Sequence, residues 1–346
     1  MTTAPWRSAA ARLARRRTVW RHRAEREWAA RIAPQLVGRV APDADWRTEK
    51  ADFTSTSVAV VAVFSPGSAR RFVVKVPSTE QGAARLRRQA GVLADLRRDP
   101  RLGPLHRLMP RCVEQGEVDG RYYCVEEALS GVPAHAVMQR RWSREVFLPA
   151  ATRVIGELHA RTREEVRLDD ATVHAWVHAP LRHLAASSAG KYRADVYVDG
   201  IRRLRDELDR SLAGRTVRSS WIHGDFWPGN LLTSRQGTDV TGVVDWDGAS
   251  ARQLPLHDLF HLHIFSRRLA SGVELGDVVV HALHGGIDEA IGVPVGQIAT
   301  WLDDIPPRTA ILLYWLRHIV LFFDMEGHHD NPRWLGANVR HVLASV

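Results

Sequence analysis

Short β-type runs dominate residues 46–127 of the chain. Ser57–Phe64 (SVAVVAVF) and Arg71–Val76 (RFVVKV) are rich in valine, and Ser65-Pro-Gly-Ser68 between them is a turn signal. The two therefore predict a hairpin, with a further strand near Trp46–Phe53. Ser78 or Thr79 is placed to cap a helix that runs to about Arg98, and Pro100 to Pro110 reads as a loop. Arg111–Val118 and Arg121–Glu127 flank an Asp119-Gly120 turn and form a second hairpin. The predicted order is β-β-β-α-β-β.

After Gly131 the spacing of apolar residues lengthens to that of a helix. Val146, Ala150, Val154, Ile155 and Leu158 mark one helix from Glu145 to about Arg163, and further helices are expected near 171–187 and 198–213. One β-rich island interrupts them at Val217–Ile222, Asn230–Thr233 and Val240–Asp245; from Pro255 onward the chain reads as helices. The expectation is an α+β chain: a basic amphipathic arm at 1–45, an antiparallel β lobe with one helix at 46–130, and a larger, mainly helical lobe at 131–346. A cleft between lobes is the natural place for a ligand.

Charge changes this picture at one end only. The formal charge of the 346-residue chain is +9, but residues 1–40 hold ten Arg and two Glu, a net of +8, which leaves +1 for the rest. Within the arm, Leu13, Trp20, Ala24, Trp28 and Ile32 recur at helical spacing between arginines. Residues 7–32 then either contact an anionic membrane or acidic partner, or dock their tryptophan face on their own domain. No reading motif or aromatic platform accompanies the arginines, so no nucleic acid is expected as a partner. Cys112 and Cys124 are the only cysteines, too few for a disulfide framework or zinc site, and are expected to be buried thiols. No apolar stretch follows the basic N-terminus, and Ala310–Phe323 is too short to span a bilayer, so a cytoplasmic protein is expected.

The chemistry concentrates in Trp221-Ile-His-Gly-Asp-Phe-Trp-Pro-Gly-Asn230 and Gly242-Val-Val-Asp-Trp-Asp247. The first leaves a strand, turns through His-Gly-Asp and re-enters a strand; the second ends a strand at Asp245. Asp225 and Asn230 thus share a loop beside the strand that delivers Asp245. A carboxylate that accepts a proton, beside hard oxygen donors for a divalent cation, is the equipment of phosphoryl transfer.

These residues resemble the aminoglycoside phosphotransferase and choline kinase group, small-molecule kinases with a protein-kinase-like, two-lobed fold. HGDFWPGN matches the group's His-Gly-Asp-x-x-x-x-Asn loop, and VVDWD its metal-binding Asp followed by an aromatic. The resemblance implies an ATP-dependent transfer to a hydroxyl, GTP not being excluded. It makes Asp225 the catalytic base, His223 a residue that holds the loop, and Asn230 and Asp245 the ligands of Mg2+. Asp258, in Pro255-Leu-His-Asp-Leu259, and His159, in Glu157-Leu-His-Ala160, are expected to be structural.

The same resemblance calls for a lysine on the third strand, and Lys75 stands there, one of three lysines against 45 arginines. It also calls for a glutamate on the following helix, where this chain has Gln89; Glu80, Gln89 or another group must then hold Lys75. The phosphate-binding turn has no glycine and is assigned to Ser55, Thr56 and Ser57. Glu126 and Ala128 are expected to meet the nucleotide base through their backbone, with side chains that need not matter. For the acceptor, Trp227, Trp301, Asp303, Asp304 and Glu326 are the leading candidates, with Trp315, Asp324 and Trp334 behind them. Sugar, nucleoside, amino alcohol and antibiotic remain open as acceptors. A nucleotide-binding pseudokinase or regulator, and a lipid-head-group or protein kinase recruited by the arm, are the competing readings.

Overall fold

The structure, a computed structural model, describes residues 9–54, 57–138, 141–186, 194–323 and 331–346, with the backbone alone at 9–21, 141–143 and 194–196. The chain divides into two compact units, Met1–Leu93 with Pro110–Leu129, and Ala94–Met109 with Ser130–Val346.

The first unit is built on a five-stranded antiparallel sheet of order β1-β2-β3-β5-β4. Its strands are β1 (Arg47–Phe53), β2 (Val58–Phe64), β3 (Arg71–Pro77), β4 (Arg111–Val118) and β5 (Arg121–Glu127), with α2 (Glu80–Arg98) after β3. Thr79 caps α2, its Oγ1 accepting the Gly82 amide at 3.1 Å. The apolar runs of β2 and β3, the latter interrupted by Lys75, follow from burial of both faces. Val61, Val63, Phe72, Val74 and Val125 pack on one side under α1 (Ala9–Val40). On the other, Val58, Tyr122 and Cys124 pack with Ala83 and Leu86 of α2.

The docked stripe of α1 is Ala29, Ala33, Leu36 and Val37, all fully buried, with Trp28 and Ile32 at its margin and Ala24 exposed. The stripe is one residue off the spacing predicted from the tryptophans, because small residues let the helix approach the sheet closely. The Arg121 guanidinium lies 4.6 Å above the Trp28 ring and pairs with Glu25. The C-terminal part of the arm is thus packed on its own sheet. The side chains of 7–21, where most of the arginines lie, are outside the described residues.

The second unit holds α3 (Ala134–Val137), α4 (Arg141–Arg161), α5 (Asp170–Val173), α6 (Ala179–Ala186) and α7 (Ala194–Leu212). After the β segments come α8 (Leu256–Ser271), α9 (Leu275–Gly285), α10 (Ile287–Ile291), α11 (Val295–Leu302), α12 (Pro307–Phe323), α13 (Pro332–Leu335) and α14 (His341–Leu343). The stretch predicted as a loop at 100–110 is instead a 3-10 run, Pro100–Leu108. Its Leu102, Leu105 and Leu108 are buried at a spacing of three, the period at which 3-10 side chains eclipse.

The predicted β island falls into two small sheets. In β10-β9-β6, β10 (Val240–Val243) and β9 (Leu231–Thr233) form the expected hairpin and β6 (Val132–Pro133) adds an edge. In β11-β8-β7, β8 (Thr216–Ile222) lies between β11 (Ser250–Gln253) and β7 (Glu164–Arg167). The unpredicted edge strands β6, β7 and β11, of two to four residues, carry too few alternations to register in a sequence window. Helix α12 is mostly buried, as its largely apolar sequence requires. No helix among the described residues is long and apolar enough to cross a membrane.

Candidate active site

The residues of the loop from His223 to Asn230 are positioned from three directions. From below, Asp258 on α8 accepts the amides of His223 and Gly224, both at 2.8 Å, and lies 3.1 Å from His159 Nε2 of α4. All four residues are buried, so this carboxylate satisfies two backbone donors that have no water to turn to. Burial alone would raise the Asp258 carboxyl; the hydrogen bonds from His159 and the His223 amide outweigh it and hold it below the usual carboxylate range. The structural roles expected of Asp258 and His159 are thereby seen in contacts. Gly224 is required here: its φ is +82°, and a Cβ would fall 2.2 Å from the Gly248 carbonyl.

From the side, His223 bridges the two motifs. Its Nε2 donates to the Val244 carbonyl at 2.9 Å, and its Nδ1 accepts the Asp225 amide at 3.3 Å. A carbonyl must accept and an amide must donate, so the ring carries a proton on Nε2 and a lone pair on Nδ1. The Val244 amide in turn donates to the Asn230 carbonyl at 2.9 Å, continuing the hairpin up to Asp245. Asp245 stands in the left-handed region (φ +61°), a strained backbone for a residue with a Cβ. It is followed by Trp246, buried, with Nε1 donating to the Val243 carbonyl at 2.8 Å and the ring 4.7 Å from that of His223.

From above, Asp225 is gripped at both carboxylate oxygens. Asn230 Nδ2 donates to Oδ2 at 2.8 Å and to the Asp225 carbonyl at 2.9 Å, while His261 Nε2 lies 2.9 Å from Oδ1. Desolvation works against ionisation of Asp225, but the hydrogen bonds from His261 and Asn230 prevail and keep its carboxyl below the ordinary range. Because both Asn230 amide protons are taken up by Asp225, its Oδ1 is turned away from that residue.

His261 was not among the expected site residues. It lies three residues after Asp258 on α8, hence on the same face, and that spacing in Asp258-Leu-Phe-His261 was the available signal. Its ring is buried, with Nδ1 3.0 Å from the Tyr314 hydroxyl of α12. Phe265 and His318 flank it, at 4.1 and 4.3 Å between ring centroids. Burial pushes the Tyr314 hydroxyl well above its ordinary value and His318 well below.

In the first unit, Lys75 pairs across strands with Glu126, Nζ to Oε2 at 3.2 Å. Register explains the pair: Lys75 faces Cys124 and Val73 faces Glu126, so Glu126 is the diagonal neighbour of Lys75 on the same sheet face. Gln89 of α2 donates to the other oxygen, Oε1, at 2.6 Å, and all three side chains are buried. This corrects the expectation that the Glu126 side chain need not matter: the carboxylate sought on α2 comes from β5, and Gln89 holds it. Glu80 is instead paired with Arg87 at 2.8 Å. The Ala128 amide is also spoken for, donating to the Arg71 carbonyl at 2.9 Å, so it is not open to a base.

Ser57 is buried, at φ +60°, and its carbonyl takes the Ser78 amide at 2.9 Å; Ser55 and Thr56 lie outside the described residues. Among the acceptor candidates, Trp227 remains beside Asp225, whereas Trp301 and Asp303 line a separate cavity of about 310 Å³ with His159, Arg163 and Arg218. Asp303 is engaged by Arg218, both its side chain and its amide, and Asp304 lends its carbonyl to Arg215 at 2.9 Å. Asp225, Asn230 and Asp245 do not line that cavity. Trp315 is fully buried, and Asp324 and Glu326 lie outside the described residues.

The sequence of motifs on this scaffold matches the phosphotransferase enzyme family (APH) from residue 55 to residue 292. The chain belongs to that family. It is a phosphotransferase acting on a small-molecule hydroxyl, and its α+β fold joins an antiparallel-sheet N-lobe to a helical C-lobe. No curated protein sequence matches this family member. Its fold is similar to that of a mutant aminoglycoside 2'-phosphotransferase IIIa in complex with GDP. That likeness has 14% identity over 91% of this chain and 97% of the other, with a TM-score of 0.55. It is similar also to ADP-bound aminoglycoside phosphotransferase APH(2'')-Ib, with 13% identity over 90% and 96% and a TM-score of 0.51. At these identities the likeness concerns the fold.

Proposed function

We propose that this phosphotransferase moves the γ-phosphoryl group of ATP to a hydroxyl of a small molecule, with Asp225 as base. The hydroxyl oxygen forms the new bond to phosphorus, the bond to the bridging oxygen breaks and ADP leaves, and the hydroxyl proton passes to Asp225. The observation that carries this reading is the grip on Asp225. Each oxygen accepts one hydrogen bond from the protein, so each keeps a lone pair for an incoming proton. A carboxyl kept below its ordinary range is ionised at neutral pH and ready to accept.

Asn230 and Asp245 would hold Mg2+. Their fit rests on donor chemistry: an amide oxygen turned away by the bonds of its own nitrogen, and a carboxylate on a residue in the left-handed region, are the hard oxygen donors this cation takes. When bound, it neutralises phosphate charge. Lys75 would meet the phosphates, held in place by Glu126 and Gln89. That arrangement supports an active kinase over a pseudokinase, because the ammonium has a carboxylate without the usual glutamate on α2. Of the two similar structures one holds GDP and the other ADP, so GTP belongs in the test beside ATP.

For the acceptor, the described residues around Asp225 favour an apolar face over a polycation. Trp227, Phe265, Phe322 and Trp334, all partly exposed, follow one another at 6.0, 6.2 and 6.0 Å between ring centroids. Arg268 lies 4.6 Å above the Phe265 ring, while Asp303 is spent on Arg218. Sugar and nucleoside faces stack on such rings; a polycationic aminoglycoside needs acids there. Release of ADP or GDP would be measured with each nucleoside triphosphate and Mg2+ across nucleosides, hexoses, amino alcohols and aminoglycosides. Turnover of aminoglycosides alone would overturn the acceptor preference, and turnover by Asp225→Asn would overturn the base.

A further inference from the structure

We infer that His261 is a positioning residue for the catalytic base, forming with Tyr314 a buried Tyr314–His261–Asp225 chain that sets the orientation of the Asp225 carboxylate. The inference rests on the reading of Asp225 as base and adds to it a residue from outside the loop.

Helix α8 holds the catalytic loop at two points. Asp258 takes the backbone amides of His223 and Gly224, and His261, nearly one turn further, reaches the Asp225 side chain. Asn230, on the loop itself, holds the other oxygen. With a donor on each oxygen, the carboxylate cannot rotate about its Cβ–Cγ bond without losing both bonds.

The orientation of His261 is set in turn. Tyr314 has a buried hydroxyl whose partner among the described residues is His261 Nδ1, at 3.0 Å. The ionised Asp225 carboxylate can only accept, which places the imidazole proton on Nε2 and leaves the Nδ1 lone pair to accept the Tyr314 O–H. Phe265 and His318 close on the ring from its sides, at 4.1 and 4.3 Å. The chain Tyr314 O–H to His261 Nδ1, then His261 Nε2–H to Asp225 Oδ1, therefore has one direction. A base misplaced by about 1 Å costs about 100-fold in rate, which is the scale on which such an anchor acts.

Two measurements test this. The first is a long-range 1H–15N correlation spectrum of protein labelled with 15N-histidine, the His261 signal being assigned by its loss in His261→Gln. His261 is expected as the Nε2-protonated tautomer, with an exchange-protected proton whose shift changes in Asp225→Ala. A proton on Nδ1, or a signal indifferent to Asp225→Ala, overturns the inference.

The second is ADP release from Mg-ATP with water, glucosamine and kanamycin each as acceptor. His261→Leu is expected to lower kcat by about 10- to 100-fold with the KM for ATP within about twofold. His261→Gln, which keeps a nitrogen donor near the Nε2 position, should recover most of the loss. Wild-type kcat in His261→Leu, or a loss that Gln does not repair, overturns the inference. Asp225→Asn separates the two claims: if it turns over normally, the base reading fails, whereas dependence on Asp225 with none on His261 sinks only the positioning role. Where none of the three acceptors is turned over, the spectrum decides alone.

Discussion

Asp258→Asn is the substitution whose cost follows most directly from the structure. The wild-type carboxylate is fully buried and meets two backbone amides at 2.8 Å and the His159 ring at 3.1 Å. Asparagine keeps one acceptor oxygen and turns an NH2 group toward the donors that remain. At least one buried amide then has no acceptor, at about 1–3 kcal/mol, and a bond to a charged acceptor, worth about 1.5–3 kcal/mol, becomes a neutral one. Because the two costs overlap, about 2–4 kcal/mol is expected overall. The assay is chemical denaturation followed by tryptophan fluorescence, read as a shift of the midpoint at constant slope. A second signature comes from linkage. The folded carboxyl lies below its unfolded value, so its contribution is present above about pH 4 and fades as pH falls through the folded value. The gap between wild type and Asp258→Asn should therefore narrow in acid. A midpoint shift worth under about 0.5 kcal/mol near pH 7, the size of an ordinary surface substitution, would refute the anchoring role.

Three further outcomes are expected. Glu126→Leu strips Lys75 of a buried carboxylate and Gln89 of its acceptor, and should cost about 3–5 kcal/mol, against a clearly smaller loss for Glu126→Gln; equal midpoints for the two variants in urea would contradict the pairing. Burial depresses His257 and His318 well below the ordinary value and His263 to about 4, so the unfolded chain takes up protons below about pH 6.5 that the fold refuses. Stability should fall from there toward about pH 4, at about 1.4 kcal/mol per pH unit for each histidine, and a pH series of melts in which His318→Phe leaves that slope unchanged would exclude His318. Cys112 Sγ lies 3.0 Å from Cys124 Sγ; the S–H of Cys124 lowers the Cys112 thiol, while that contact and burial raise Cys124. Iodoacetamide should therefore label Cys112 first, as peptide mass spectrometry would read, and prior labelling of Cys124 would reverse the assignment.

The parts of the fold that were legible in the sequence are those with a long, regular period. The β-β-β-α-β-β order held because Val58–Phe64 and Arg71–Pro77 are long enough to show their type and are bounded by turn residues. The short edge strands β6, β7 and β11, and a 3-10 run that resembles a proline-rich loop, left no such trace. In the site, the shared loop of Asp225 and Asn230 and the place of Asp245 just after the neighbouring strand were legible, because their order and spacing form a pattern along the chain. The Lys75–Glu126–Gln89 contact was not, since it depends on which residues face each other across β3 and β5, and a register is fixed by the assembled sheet. His261 was half legible: its place three residues after Asp258 put it on the right helix face, but nothing in the chain alone says that Tyr314 stands behind it. Trp301 and Asp303 were misleading for the opposite reason. Their residue types suited an acceptor pocket, yet folding placed them with Arg218 at another cavity.

The measurement that tests the central claim most directly is ADP release from Mg-ATP by wild-type and Asp225→Asn protein, side by side, across the panel of hydroxyl acceptors. The account predicts acceptor-stimulated ADP from the wild type and a loss of at least about 100-fold in the variant, with ATP binding retained, as expected when a general base is removed. Stimulated release of equal size from both proteins would contradict it, because Asp225 would then take no part in the transfer.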